Sequence, residues 1–218
     1  MDNNNYAEAV TVLDKAVTLA PGYAEAYFQR ARAYSGLLLN NRFHDEYIDY
    51  VHRALADVNQ AIALDPTIGD YYYFRYTFDE DLAVDAPYRV DYTALETIAL
   101  ENVRIANQLG NTQPDSERIP ALILPNLGRC DEGLAEAQQL IDARGPKAPP
   151  SAGLQTALAQ GYLCKGQLDA ALEHINLAIQ AHPTSDRTLA KITILYNLGR
   201  LDEALSLLND DINDYPYY

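Results

Sequence analysis

Apolar residues recur along the chain at spacings of three and four positions, and the same pattern returns in four segments: 6–21, 51–66, 168–183 and 201–216. Each segment carries a small residue three positions after its first residue and a large apolar residue four positions later. The small residues are Ala9, Ala54, Ala171 and Ala204, and the large ones are Leu13, Val58, Ile175 and Leu208. Each segment ends on proline. The pattern predicts four amphipathic helices that stop at the proline.

A second kind of segment precedes three of these helices, at 26–34, 154–167 and 189–200. Gly166 and Gly199 fall between the paired segments, where a turn with positive φ is easily accommodated. Because a small residue at a fixed place lets a neighbouring helix approach closely, the chain is predicted to consist of stacked helical pairs.

The order helix, turn, helix, proline, with a period of about 34 residues, resembles the tetratricopeptide repeat (TPR). Tyrosines at Tyr27 and Tyr72 stand where that family has tryptophan. The resemblance is strongest for 1–66 and 151–218, and the style of the repeats is similar to that of bacterial members. It implies an all-α fold in which the repeats form a right-handed superhelical solenoid.

One solenoid over 1–218 is expected, in three parts. An N-terminal block (1–109) carries two lengthened hairpins, an irregular centre with linkers follows (110–150), and two regular motifs form the C-terminal block (151–218). The centre aligns through its turn glycine, Gly128, but Pro125 falls inside its first helix and is expected to bend or break that helix.

The aromatic stretch at 69–81 aligns with the first helix of the preceding repeat, because Tyr72 matches Tyr27 and Arg75 matches Arg30. This register predicts that Tyr72 and Tyr76 point into the core. The neighbouring Tyr73 and Thr77 are then expected to face the concave groove.

Two adjacent repeats each contain 11 residues more than the motif needs, which predicts two lengthened hairpins side by side with tips near Asn40–Asn41 and Ala86–Pro87. Eleven residues would add about 16 Å of helix. The resulting ridge carries Tyr47, Tyr50, Tyr88 and Tyr92 among acidic residues. These tyrosines either pack the hairpins together below solvated acids, or form a docking patch, since tyrosine combines an apolar body with a polar tip.

Composition narrows the classes of partner. The chain has 218 residues and a formal net charge of −15, which argues against nucleic acid and anionic membranes as partners. No apolar run is long enough to span a bilayer, and no secretory signal is visible. The two cysteines, Cys130 and Cys164, are interpreted as free thiols in a reducing compartment, so the expected location is cytoplasmic.

The motifs of common enzyme classes are missing from the sequence, including phosphate loops, nucleophile elbows and paired-cysteine zinc patterns. We therefore expect no enzyme activity, no cofactor and no metal. One alternative is a divalent-metal site formed by Asp45, Asp49 and His52 on one helix face, although such a trio also arises by chance on an acidic helix.

The TPR resemblance implies an interaction scaffold whose first helices line a groove for a peptide or protein segment. Carried over by position, the groove residues are Phe28, Arg32, Tyr73, Thr77, Arg118, Leu122, Thr156, Gln160, Leu189 and Thr193. The aromatic groove and the acids at the starts of first helices favour an apolar or basic partner. No nucleic acid and no membrane are expected as partners.

Three further interpretations stay open. The chain is expected to be a fragment of a longer protein, and its exposed solenoid ends are expected to mediate self-association. The alternative function is that of a regulatory or sensory TPR domain that controls an attached catalytic or DNA-binding module. An RNA-binding helical repeat is a remote further alternative, which the acidic charge opposes.

Overall fold

A computed structural model describes residues 3–41, 46–78, 92–114, 116–145, 148 and 151–214 of the chain. All regular secondary structure within these ranges is helical, so the predicted all-α fold is confirmed. The chain forms two compact units, Met1–Glu117 and Arg118–Tyr218, which we call unit 1 and unit 2. The division into an N-terminal block, a centre and a C-terminal block stays a prediction.

Unit 1 contains five described α-helices, and neighbouring helices pack as antiparallel pairs. They are α1 (Asn3–Leu19), α2 (Ala24–Asn41), α3 (Glu46–Leu64), α4 (Gly69–Tyr76) and α5 (Tyr92–Leu109). Helix α2 continues to the predicted tip of the first hairpin, and α3 begins five residues after it. The two lengthened hairpins stay a prediction. The predicted tip of the second hairpin, Ala86–Pro87, lies outside the described residues.

Small residues bring the helices of unit 1 together. Ala54 and Ala61 are fully buried in α3 with Val58 between them, one helical turn from each. Gly36 of α2 allows α1 to approach closely, because a methyl group at this position would clash with the ring of Tyr6 on α1. The periodic small residues of the sequence therefore mark the contact lines between helices, as predicted.

The side chains of the aromatic stretch that point into the core are not the ones that the sequence predicted. The most buried side chains are Tyr71 and Phe78, whereas Tyr72 and Tyr76 are only half-buried. Tyr71 is drawn inward because its ring packs against Phe28 of α2, with the ring centroids 4.6 Å apart. The prediction that Tyr72 and Tyr76 form the inward face is therefore wrong.

Unit 2 contains six described α-helices, preceded by a short 3-10 helix at Ser116–Arg118 that crosses the unit boundary. They are α6 (Ile119–Asn126), α7 (Cys130–Arg144), α8 (Ala152–Cys164), α9 (Leu168–Ala181), α10 (Ser185–Asn197) and α11 (Leu201–Asp214). Gly166 and Gly199 have φ values of 71° and 74°. The prediction of positive-φ glycines between paired helices is confirmed.

The structure places Pro125 within α6, where a bend or break was expected. It lies in the last turn of this eight-residue helix, which ends one residue later, and its ring is buried. The ring is accommodated by Gly133 of α7, where a methyl group would lie 2.9 Å from the Cδ atom of Pro125. The glycine thus makes the room that a proline inside a helix requires.

The prediction of two free thiols is wrong, because Cys130 and Cys164 form a disulfide with a Cα–Cα distance of 5.7 Å. Cys130 is the first residue of α7 and Cys164 is the last residue of α8. These two ends meet because α7 and α8 pack as antiparallel neighbours. Disulfides persist mainly in oxidising compartments, so the thiol-based argument for a reducing compartment no longer holds.

Candidate functional site

In unit 1, the predicted groove residues lie on the first helices of two pairs, α2 and α4, and we call this surface the α2–α4 face. Phe28 belongs to its floor rather than to its surface, since its side chain is only 9% exposed. Its ring packs edge-on against Phe74, with centroids 5.4 Å apart, and against Tyr71. Phe28 therefore stabilises the surface from below and offers little area to a ligand.

Arg32 is the exposed cation of the α2–α4 face. Its guanidinium carbon lies 6.0 Å from the centroid of the Phe28 ring, within the range of a cation–π contact, and Nη1 lies 3.4 Å from Oε1 of Gln29. Gln29 in turn donates to Glu25 over 2.5 Å. The arginine is thus oriented across an aromatic floor, where it could receive a carboxylate or a carbonyl oxygen.

Glu25 also accepts a hydrogen bond of 3.2 Å from the hydroxyl of Tyr71. Burial, followed by the negative charge of Glu25, raises the pKa of Tyr71 to about 12. The tyrosine therefore stays a neutral donor across the physiological range, and it ties α4 to α2 beneath the groove residues.

Tyr73 and Thr77 complete the α2–α4 face. Tyr73 is half-buried, and its ring centroid lies 5.7 Å from that of Tyr76. Thr77 is exposed, although its hydroxyl donates to the carbonyl of Phe74 over 2.7 Å and so closes the end of α4. Tyr73 and Arg32 are consequently the predicted groove residues of unit 1 that could contribute most to binding.

In unit 2, the predicted residues lie on α6, α8 and α10 or directly before them. Arg118 lies against the start of α8, where a methyl group at Gly153 would be 2.8 Å from its Cδ atom. Leu122 is half-buried in a core cluster with Leu134 and Tyr162. Both side chains are therefore engaged in holding helices together, and each leaves only part of its surface free.

Thr156 and Gln160 lie one helical turn apart on α8. The hydroxyl of Thr156 accepts a hydrogen bond of 3.2 Å from Nε of Arg187 on α10. Arg187 was not among the predicted residues, and its Nη1 also donates to the carbonyl of His182 over 2.6 Å. Within the part of the chain that the structure describes, the buried Oε1 atom of Gln160 has no hydrogen-bond partner.

A row of exposed side chains follows one side of α10, and we call it the α10 row. It consists of Leu189, Thr193 and Tyr196, which are three and four positions apart. Leu189 is 47% exposed and Tyr196 is 66% exposed. Sequence reasoning found the first two residues and missed Tyr196, although its spacing of seven positions from Leu189 was a usable signal.

The predicted tyrosine ridge is only partly described. Tyr47 is buried in the core of unit 1, and Tyr50 is half-buried with its ring stacked on Tyr34 at 6.0 Å. Tyr92, at the start of α5, is exposed, and Tyr88 lies outside the described residues. Tyr47 and Tyr50 thus behave as packing residues. Among the described ridge tyrosines, Tyr92 is the one that stays a candidate for a docking patch.

The alternative metal trio was Asp45, Asp49 and His52. Asp49 is paired with Arg53 at 2.7 Å, one turn along α3, and Asp45 lies outside the described residues. No cluster of three His, Cys, Asp or Glu side chains suited to a metal occurs in the described ranges.

No helix in the described part of the chain combines the length and apolar character needed to cross a membrane. The predicted cytoplasmic location and the predicted attached module stay predictions.

Comparison with known proteins shows the fold. No protein-family model matches the chain, and the search of curated proteins found no match to its sequence. Solved structures are similar over most of its length. The pilus biogenesis factor PilW gives a TM-score of 0.63 at 16% identity, covering 99% of this chain and 88% of its own. TTC0263, a TPR protein of Thermus thermophilus, gives 0.53 at 22% identity, covering 88% and 92%.

A third similar structure is YrrB, which is described as a TPR protein with an unusual peptide-binding site. Its TM-score is 0.54 at 17% identity, and the match covers 94% of this chain and 93% of YrrB. These similarities extend through both units, and they agree with the helical pairs, the positive-φ turn glycines and the small contact residues described above. The chain therefore has the tetratricopeptide-repeat fold, in a form similar to that of bacterial TPR proteins.

Proposed function

We propose that the protein is a non-catalytic scaffold that holds an extended or helical segment of another polypeptide on its first helices. The observation that carries this proposal is the α10 row, in which Leu189, Thr193 and Tyr196 lie exposed on a first helix. The core of unit 2 uses the opposite side of α10, through Ile194 and Leu195. The exposed row is thus not required for folding, and apolar anchors at this spacing suit a peptide ligand.

The α2–α4 face is the second contact region that we propose. Arg32 and Tyr73 supply a cation and an aromatic ring above a buried aromatic floor. Aromatic residues and arginine are enriched at binding hot spots because they combine large contact area with polar groups. The partner is expected to be apolar or basic overall, since the chain carries a net charge of −15.

Selection from a peptide library displayed on phage, followed by titration of the enriched peptides, tests this function. We expect peptides with apolar or aromatic anchors and an excess of Lys and Arg. The paired variant Leu189→Ala/Tyr196→Ala should weaken binding at least tenfold, and Arg32→Ala/Tyr73→Ala should do the same for peptides that use unit 1. Phe28 is not a suitable target, because its truncation would disturb the core.

The matched control is Val12→Ala/Ile98→Ala, which truncates two exposed apolar residues of unit 1 outside both faces. It should bind every selected peptide as the wild type does. Tyr92→Ala tests the remaining ridge tyrosine in the same assay. Failure to enrich any peptide, or equal binding by the wild type and both groove variants, would refute the proposed function.

A further inference from the structure

Helix α11 presents an uncovered apolar face, formed by Leu201 and Leu205, which we call the α11 outer face. These side chains are 51% and 57% exposed. They are one helical turn apart, so they lie on the same side of the helix. The adjoining side of α11 carries the buried Ala204, and α10 is the helix that packs against α11.

The equivalent positions of the preceding repeats are covered. Leu172 on α9 corresponds to Leu205, because both directly follow the small contact residue of their segments. Leu172 lies in a core cluster with Ala190 and Ile194, which α10 supplies. The covering element for this position is therefore a helix that follows the segment and packs against it.

The same relationship recurs between α7 and α8. Leu134 directly follows Gly133, the small residue of α7, and a methyl group at Gly161 of α8 would lie 2.7 Å from its Cδ2 atom. Two segments of unit 2 thus place this leucine beneath the next helix, whereas α11 leaves Leu205 exposed. The α11 outer face therefore corresponds to the surface that is covered by the next helix on α7 and on α9.

Charge indicates the kind of helix that fits. The sequence of α11 contains Asp202, Glu203, Asp210, Asp211 and Asp214 and no lysine or arginine. Within the first turn, Glu203 accepts two hydrogen bonds of 2.6 Å from Arg200, so Asp202 is the acid that is placed to attract a basic partner. Pairing α11 with the same helix of a second copy would instead bring two acidic surfaces together, which is unfavourable.

We propose that the α11 outer face binds a basic amphipathic helix of a partner protein, which occupies over α11 the place that α10 occupies over α9. The apolar side of that helix covers Leu201 and Leu205, and its basic residues lie near Asp202. This site is separate from the α2–α4 face and the α10 row, so it does not depend on the function proposed for them.

A synthetic peptide with the sequence of residues 184–200, labelled with a fluorophore and capped at both ends, is the appropriate probe, because this sequence covers the equivalent face of α9. Fluorescence anisotropy with the full chain should show saturable binding. The variant Leu201→Asn/Leu205→Asn should weaken binding at least tenfold. The matched control Leu19→Asn, which changes an exposed leucine of α1 outside every proposed binding face, should bind the peptide as the wild type does.

A second peptide, in which the residues at 187 and 191 are replaced by glutamate, should bind at least tenfold more weakly at low salt if charge selects the partner. Lack of binding at millimolar peptide, or equal binding by the wild type and Leu201→Asn/Leu205→Asn, would overturn the proposal. Sedimentation of the wild type that shows a dimer lost in the same double variant would assign the face to a second copy.

Discussion

Arg30 and Arg75 lie 45 positions apart, and each forms the same bridge between three helices. Arg30 donates through Nε and Nη2 to Asp57 over 2.7 and 2.6 Å, and through Nη1 to Asp14 over 2.8 Å. Arg75 donates to the residues 45 positions further along, to Asn102 over 3.0 and 2.5 Å and to Asn59 over 3.1 Å. Unit 1 therefore contains a structural repeat of 45 residues, equal to the family period plus the insertion of 11.

The two bridges differ in the chemistry of their acceptors. Asp57 is 5% exposed and offers two carboxylate oxygens, and this hydrogen bond and charge raise the pKa of the Arg30 guanidinium. Asn102 is 1% exposed and offers one oxygen to both nitrogens of Arg75, while its own Nδ2 atom has no hydrogen-bond partner among the described residues. A buried amide group without a partner carries a desolvation cost.

Asn102→Asp is therefore expected to stabilise the protein. The second carboxylate oxygen replaces the unpartnered Nδ2 and allows the bidentate, charge-assisted geometry seen at Asp57. The expected gain is about 1 kcal/mol, or about 2–4 °C in melting temperature, measured by urea and thermal unfolding at neutral pH.

Asp57→Asn is the matched reverse change and should lower stability, because it converts the first bridge into the second. If Asn102→Asp lowers the melting temperature, the cost of burying the carboxylate exceeds the gain from pairing it. The bridge at Asp57 would then not predict the effect of an aspartate at position 102.

Reduction of the disulfide between Cys130 and Cys164 is expected to destabilise unit 2. The bond closes a loop with a sequence separation of 34, which includes both α7 and α8. Restricting a loop of this length in the unfolded chain contributes about 3–4 kcal/mol by chain entropy. Urea unfolding with and without a thiol reductant measures the difference.

The double variant Cys130→Ser/Cys164→Ser is the control, and its unfolding midpoint should match that of the reduced wild type and should not respond to reductant. Equal midpoints for oxidised wild type and the double variant would show that the bond contributes nothing.

The sequence predicted those features that recur in every repeat. Ala54 and Ala171 are fully buried contact residues, and Gly166 has the positive φ expected of a turn glycine. These predictions succeed because helix period and turn conformation are local properties, and because repetition of the pattern makes chance agreement rare.

Features that depend on the neighbouring helix were not predicted. Tyr71 is buried rather than Tyr72 because Phe28 on another helix receives its ring. The disulfide was missed for a related reason, since Cys130 and Cys164 meet only once α7 and α8 pack antiparallel. Their separation of 34 equals one family period, which was the available signal.

Because of His174, the free energy of unfolding is expected to decrease as the pH is lowered below about 6.5. Its ring stacks on Tyr162 at a centroid distance of 5.2 Å, and its Nδ1 atom lies 2.7 Å from Oε1 of Gln155. Burial lowers the pKa of His174, while the charge of Glu173 acts in the opposite direction. As pH falls below the ordinary value of 6.5, the unfolded chain takes up the proton first, so the free energy of unfolding decreases until the folded pKa is reached.

His174→Phe keeps a ring against Tyr162 and cannot titrate. As pH falls from 7.5 to 5, the wild type should therefore lose more unfolding free energy than this variant does. The slope is at most about 1.4 kcal/mol per pH unit. Parallel pH profiles for the two proteins would contradict the assignment.

Tyr71 is expected to make stability fall with rising pH in alkaline solution. Its pKa is raised from 10.0 to about 12, first by burial and then by the charge of Glu25. Between these two values the unfolded chain loses the phenolic proton while the folded chain keeps it, so the folded state becomes progressively less favourable. Tyr71→Phe removes the hydrogen bond to Glu25 but also removes this loss, and its stability should depend less on pH above 10 than that of the wild type.

Ultraviolet titration of the phenols gives an independent measurement of the same group. An ionisation of the folded wild type near pH 12 should be absent from Tyr71→Phe. It should persist in Tyr196→Phe, which removes an exposed tyrosine instead. If the high-pH ionisation is unchanged in Tyr71→Phe, it belongs to another tyrosine, and the contact between Tyr71 and Glu25 does not hold the phenol protonated.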